Sequence, residues 1–452
     1  MKRILYISLA FTLVILTGCK KSDSTQVDKS VARLTAFAFV KNDTMPGLSK
    51  AVFTIEERND TGLVWNKDSM LYGTSLKRVV PRFMFATTPS AAFLKMRDTV
   101  YTLTGYDTLD FTRTPIYLSI RSQDKTNTKT YEIRATVHQA DPDLYTWQEL
   151  ESSIYGNYDS EQRVVEFGKE FVMLASDGFY ISAWRSPDGI NWSLPTKLNG
   201  LPAGTKVRQI VCKNDTIKNE YTLYYAQDSI LYSSTDIYNW TAKKMSRPIA
   251  TMLLYWNDLV WMLTGTDERD YELAYLQADT ITPSGLMPAN EFPISDFATV
   301  TFLSSSMRER AMIIGGFAEN GKSLNTRWNL EYSTHIKENN GYRLQEFSID
   351  RSSFKGLTGI SIVYYNNQLL LFGGVDDQAK YFGRDILMSK DEGLTWTKAD
   401  TAKNQLPEAY QARQKQNAIV RDNNIYLFGG QDAKTTYSDV YKGRLNSIDW
   451  NK

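Results

Sequence analysis

The chain has 452 residues, 42% of them hydrophobic and 13% aromatic, which is enough apolar mass for two or three folded domains and too much for a disordered chain. Lys and Arg number 52 against 51 Asp and Glu, a balance that leaves no electrostatic footprint for a nucleic-acid partner. With 27 Tyr, 10 Trp and 26 Gly, the composition favours strands and tight turns over helices.

Residues 1–18 read as a leader. Lys2 and Arg3 precede an apolar run over residues 4–16, which as a helix would span roughly 20 Å at about 1.5 Å per residue, short of the roughly 30 Å hydrocarbon core. This is a secretory signal rather than a membrane span. The run ends in Leu16-Thr17-Gly18-Cys19, which resembles the bacterial lipoprotein box. That resemblance implies cleavage before Cys19 and acylation of its thiol, with each buried CH₂ contributing about 0.8 kcal/mol of membrane anchoring. Lys20 stands where an Asp would favour retention at the inner membrane, so the resemblance implies an outer-membrane lipoprotein, periplasmic or cell-surface facing. Residues 19–30 are polar and unpatterned and form a flexible tether. With Cys19 lipidated, Cys212 is the one remaining thiol, so no disulfide forms within the mature chain.

Residues 31–140 read as about seven short strands of alternating polarity. In "TYEIRATVH", Tyr131, Ile133, Ala135 and Val137 fall on one face and Glu132, Arg134, Thr136 and His138 on the other. The Tyr-x-Ile-x-Ala-x-Val run resembles the last strand of bacterial Ig-like or cadherin-like modules, and implies a β-sandwich. Asp141-Pro142-Asp143 then stops the strand.

From residue 147 to 452 the pattern becomes a repeat of roughly 50 residues, the period of a β-propeller. Apolar runs end in Gly-Gly at Gly316, Gly374 and Gly430, spaced by 58 and 56 residues, and weaker versions end at Ser176, Gln227 and Gly265. Each unit closes on an aromatic: Trp192, Trp240, Phe292, Phe347, Trp396 and Trp450. Six blades follow from this count. The hydrophobic-Gly-Gly runs, "YSDVY" and the final Trp resemble the kelch repeat, which implies four-stranded antiparallel blades closed radially so that only short edges remain. The expected fold is therefore all-β, an N-terminal Ig-like β-sandwich followed by a six-bladed kelch-like β-propeller.

Three blades carry one further motif: Ser389, Asp391, Gly393 and Trp396, then Asp188 with Trp192, and Asp236 with Trp240. These resemble the Asp-box hairpin of sialidases and other propellers. The chemistry is local, because a short carboxylate accepts N–H bonds inside its own turn and the Trp packs behind it. A feature repeated around a ring does not converge on one substrate, so it reads as structural. A sialidase-like site needs three converging arginines, and Arg163, Arg185, Arg208, Arg247, Arg310, Arg327, Arg384 and Arg413 are the candidates within the repeats; sequence alone brings no three of them together. The Phe/Tyr-Arg-Ile-Pro signature that opens such enzymes is absent. With His138 and His335 the only histidines, neither a three-His zinc site nor the two-His copper centre of galactose oxidase is available. No metal site and no cofactor is expected.

Taken together, the chain resembles Bacteroidota-type outer-membrane lipoproteins of a domain-of-unknown-function family, which join an Ig-like module to a kelch-like, galactose-oxidase-type propeller. The function expected is non-catalytic binding of a glycan or an envelope protein, with the membrane engaged through the N-terminal lipid. The alternatives are a sialidase-like glycoside hydrolase and a scaffold subunit of an outer-membrane complex. The ligand face is expected opposite the Asp-box turns, on the loops following the second strands, where Tyr271, Trp328, Tyr381, Arg384, Asp376, Asp432 and Tyr437 are the candidate ligand-binding residues. Trp184, Trp256 and Trp261 are further candidate sugar-stacking rings, and for these three and Trp328 the alternative is that they fill the space between blades.

Overall fold

The computed structural model describes residues 28–447 except 151–153, 155–160, 178, 266–269, 289–290, 350–353 and 401–403. Cys19 and Trp450 lie outside the described residues. The chain divides into two compact units at residue 141, and helix among the described residues is limited to Pro46–Lys50 and two short 3₁₀ turns.

In the first unit, period-two alternation builds a six-stranded sheet in the order Phe53–Glu57, Thr61–Asn66, Thr128–Arg134, Ile116–Arg121, Ala91–Met96, Thr99–Thr102. All neighbours are antiparallel except Thr61–Asn66, which runs parallel to Thr128–Arg134. A second sheet pairs Leu34–Phe39 with Pro81–Phe85, and both sheets share one apolar core. Tyr131 and Ile133 are buried in that core with Ala135 and Val137 packed against it, while Glu132 and Arg134 pair at 2.7 Å on the other face. Tyr131 also ties the two sheets together: its hydroxyl accepts the Leu34 N–H at 3.1 Å and donates to Glu57 at 2.9 Å. The ring lies directly on Gly62, where a Cβ would fall 2.3 Å from Tyr131 Cδ1, so no larger residue fits there.

Among its described residues, the second unit is a succession of six four-stranded antiparallel sheets. The first contains Gln162–Phe167, Glu170–Ser176, Ile181–Ser186 and Thr196–Lys197. The first strands of the next five are Val211–Asp215, Ile249–Trp256, Ala298–Leu303, Ser361–Tyr365 and Asn417–Arg421. Each of these six strands approaches the next, and Asn417–Arg421 returns to Gln162–Phe167, so the sheets close into a ring. The second strands are apolar on both faces because both are covered: Glu170–Ser176, for example, is buried along five consecutive residues. The buried side chains of this unit form six clusters, each shared by two successive sheets. The last joins Val164, Phe171 and Trp184 of the first sheet to Tyr426, Phe428 and Val440 of the sixth. The Gly-Gly signal marks the end of a second strand that is pressed against the segment entering its own sheet. At Gly374, φ is +100° and a Cβ would lie 2.4 Å from Ile360, a position that only glycine fills.

Two expectations change. The outer strand of the sixth sheet is Tyr145–Leu150, from the beginning of the unit, antiparallel to Thr436–Leu445. The aromatic that seals this sheet is therefore Trp147, stacked edge-on to Phe372. Phe292 belongs to no strand: it lies in the connection between the third and fourth sheets, buried against Trp328, because the third sheet already ends at Leu286.

Asn404 clamps the closing strand, its Oδ1 accepting the Tyr145 N–H at 2.9 Å and its Nδ2 donating to the Asp143 carbonyl at 3.0 Å. Replacing this buried amide, Asn404→Ala, should destabilise the second unit by about 1–3 kcal/mol, read as a lower urea midpoint at unchanged m-value. An unchanged midpoint would show that ring closure does not depend on the clamp.

Candidate ligand site on the ring axis

The three Ser-x-Asp turns join third to fourth strands and satisfy themselves. Asp188 Oδ1 accepts the N–H groups of Ile190 and Asn191, both at 2.8 Å, and the Ser186 hydroxyl at 3.1 Å; the Trp192 indole donates to the Gly189 carbonyl at 3.1 Å. Asp236 repeats this with Tyr238, Asn239 and Ser234, and Trp240 donates to the Ile237 carbonyl at 2.9 Å. Asp391 accepts from Thr395 N–H at 2.9 Å and Ser389 at 2.8 Å, while Ser389 Oγ takes the Gly393 N–H and Trp396 donates to the Gly393 carbonyl. Gly189 and Gly393 occupy left-handed backbone, φ +79° and +85°, and Ile237 takes the same place at +79°. A β-branched residue is strained there; the buried packing of Ile237 between the first two sheets offsets that cost. Although burial opposes ionisation of Asp188, the donated N–H bonds prevail and hold its carboxyl at about 2.

The residues expected to face a ligand are mostly engaged elsewhere. Trp328 is 2% exposed and packed against Phe292, so it meets no ligand; a third-strand position between two sheets is an interior position. Trp184, in a third strand, is buried for the same reason, and Trp256 and Trp261, in the first and second strands of the third sheet, are buried in the cluster between the third and fourth sheets. Asp376 accepts the N–H groups of Gln378 and Lys380 at 3.0 and 2.9 Å, closing its own loop. Asp432 does likewise with Lys434 and Thr435 at 2.7 Å each and also receives the Tyr437 hydroxyl at 2.6 Å. The Tyr437 ring covers the Arg413 guanidinium at 3.8 Å. Arg384 donates Nε to the Leu406 carbonyl at 2.9 Å, and half-buried Tyr381 bridges to Val375. Tyr271 lines a groove of ≈ 680 Å³ shared with Glu319.

What the fold does bring together is a charged circuit on the axis, formed by the segments leading into the first strands. The antiparallel order puts those segments at the end of the ring opposite the Ser-x-Asp turns. Gly359 N–H donates to the Asp296 carbonyl at 2.8 Å, Lys415 N–H donates to the Gly359 carbonyl at 2.6 Å, and Arg208 Nη1 crosses to the Lys415 carbonyl at 2.8 Å. Arg208 Nε then lies 3.7 Å from the Asp296 carboxylate, closing the loop. Lys415 Nζ reaches Glu161 at 2.7 Å and Asp296 at 3.5 Å. Asp296 and Lys415 hold left-handed backbone at φ +51° and +58°, the kind of local strain that concentrates at functional sites.

The circuit rims a cavity of ≈ 650 Å³, within the range of small-ligand sites. Its walls mix Gln209, Thr299 and Asn417 with Val165, Leu253 and Ile360. Arg163 lines this cavity and also a narrower continuation of ≈ 210 Å³ beside Tyr255 and Thr301. Burial first, and neighbouring Arg208 second, lower the Arg163 guanidinium to about 10, so it is still a cation at neutral pH. Its Nε is buried without a hydrogen-bond partner. Sequence reading named Arg163 and Arg208 only among eight scattered arginines. The signal is position: Arg208, Asp296 and Lys415 stand two or three residues before a first strand, and Arg163 is the second residue of one.

A closed ring of four-stranded sheets around an axial cavity defines a β-propeller. Residues 141–452 match the DUF6242 beta propeller domain, and residues 20–135 match the N-terminal domain of the same family, a domain of unknown function. The chain belongs to this DUF6242 family. No curated protein matches it. Among solved structures it is similar to one titled "Structure of YjhT", with 12% identity and a TM-score of 0.47 over 64% of this chain and 95% of that one, a likeness too distant to transfer any property.

The turn carboxylates make a test by pH. A folded-state value held below the ordinary carboxylate range stabilises the protein above about pH 4 and ceases to do so as pH falls toward 2. Asp188→Ala should cost about 0.5–2 kcal/mol at neutral pH, and the gap to wild type in urea midpoints should shrink between pH 4 and 2. A gap that stays constant over this window would mean that the turn does not depend on the ionised carboxylate.

Proposed function

We propose that this protein is an envelope-anchored, non-catalytic binding protein. Its six sheets are the blades of a kelch-like β-propeller with Asp-box hairpins, and its first unit is an Ig-like spacer. Its ligand, a glycan or a glycan-bearing envelope protein, enters the propeller at the axis. The axial cavity carries this reading: it is large, it mixes hydrogen-bonding amides and hydroxyls with apolar wall, and its rim carboxylates Glu161 and Asp296 are engaged by Lys415 and Arg208, an arrangement suited to holding a ligand rather than to moving protons. Lipid on Cys19 would place the protein in the outer membrane.

A glycan array with the purified full-length protein tests the binding. Gln209→Trp, at the mouth, should abolish captured signal without lowering the melting temperature, and fluorogenic glycosides should not turn over. Retained capture by that variant would move the site elsewhere, and measurable hydrolysis would replace binding with catalysis. For the anchor, Cys19→Ser should shift the protein from the membrane pellet to the soluble fraction. Full retention, with no acylated Cys19 peptide in wild type by mass spectrometry, would sink the lipoprotein assignment.

A further inference from the structure

The rim charges nearly cancel, and the residue left over is Arg163. Arg208 and Lys415 face Glu161 and Asp296 at 2.7–3.7 Å. Lys206 at the rim is exposed to solvent, and Glu166, further along the first strand, lies 4.0 Å from Arg421. Among the described residues Arg163 forms no ion pair, and its Nε is a buried donor with no acceptor. Gln416, which lines the same cavity, likewise has a buried amide Nε2 without a partner. Unfilled buried donors are rare in folded proteins and call for an explanation. A buried charge without a counter-charge is the costlier case.

We infer that the axial cavity binds a small, hydroxylated carboxylate, an acidic sugar of the uronate class, whose carboxylate is held by Arg163. This rests on the axial cavity being the ligand site. A guanidinium presents a planar fork that matches a carboxylate through two parallel bonds. Arg163 is a buried cation with no counter-charge among the described residues, and a single guanidinium suits a monoanion better than a phosphate dianion. The cavity holds roughly a mono- or disaccharide, and Gln209, Thr299 and Asn417 supply partners for hydroxyl groups. Apolar Val165, Leu253 and Ile360 supply wall for the faces of a sugar ring. Arg163 stands between this cavity and the narrower continuation, where it can meet a carboxylate carried by a ring seated in the larger space.

Isothermal titration of the full-length protein with D-glucuronate, D-galacturonate, D-glucose, D-galactose and inorganic phosphate, at fixed ionic strength, tests the inference on wild type, Arg163→Met and Arg163→Lys. One uronate should bind at least tenfold tighter than its neutral counterpart. Arg163→Met should erase that preference, a loss of roughly 10- to 100-fold for a charge-assisted hydrogen bond, and Arg163→Lys should restore part of it. Because Arg163 forms no ion pair among the described residues, Arg163→Met should leave the melting temperature unchanged or raise it. A clear drop in melting temperature would make the residue structural and overturn the inference. Equal binding of uronates and neutral sugars would also overturn it while leaving the axial site standing, and phosphate binding as tightly as uronate would overturn the carboxylate assignment. If no sugar binds, the inference fails, and the glycan array with Gln209→Trp separately decides whether the axis is a ligand site at all.

Discussion

Everything in the second unit depends on one antiparallel pairing, that of Tyr145–Leu150 with Thr436–Leu445. A linear stack of six sheets would leave two apolar faces uncovered. Those faces belong to the first and sixth sheets, and the cluster of Val164, Phe171, Trp184, Tyr426 and Phe428 exists because they meet. By placing a strand from the beginning of the unit at the outer edge of the last sheet, the chain makes closure a matter of main-chain hydrogen bonds as well as apolar contact. Burial without those bonds would be non-directional. The bonds fix which sheets meet and in what register.

Closure in turn creates the axis. Six first strands cannot all converge without leaving a channel, and the residues just before them are forced to the rim. Side chains there face neither water freely nor an apolar sheet, so the fold tolerates charge only if it is paired. The circuit through Asp296, Gly359, Lys415 and Arg208 is the outcome, and it draws its members from the fourth, fifth, sixth and second sheets. It therefore links sheets that share no apolar cluster, such as the second and the sixth.

Much of the architecture was legible because its causes are local. The Gly-Gly runs mark strand ends where a Cβ would collide, as at Gly374, and Ser-x-Asp turns carry their own hydrogen-bond partners within five residues. The alternation around Tyr131 likewise needs nothing beyond the strand itself to be read. Trp328 could not be placed from sequence, because a tryptophan in a third strand has the same local pattern whether it faces solvent or the next sheet, and the ring decides for the interior. The outer strand of the sixth sheet escapes the repeat, because a period says nothing about a sheet completed by a strand from the beginning of the unit, where Trp147 sits. The axial site was hidden for the same reason: Arg163, Arg208, Asp296 and Lys415 are separated by 45 to more than 100 residues in sequence, and what unites them is only their place before a first strand or near its start.

The two ends of the ring differ in one physical respect, and that difference locates the site better than composition does. At the Ser-x-Asp end each carboxylate accepts donors from its own turn and each indole finds a carbonyl three residues back. The loops at the other end that carry Asp376 and Asp432 are satisfied in the same self-contained way. A polar loop that answers its own hydrogen-bonding needs gains little from a ligand, however aromatic and charged it looks in sequence. The axis is where that economy fails: left-handed backbone at Asp296 and Lys415, and donors at Arg163 and Gln416 with no acceptor. At the axis these features border a space large enough to receive a ligand that would complete them.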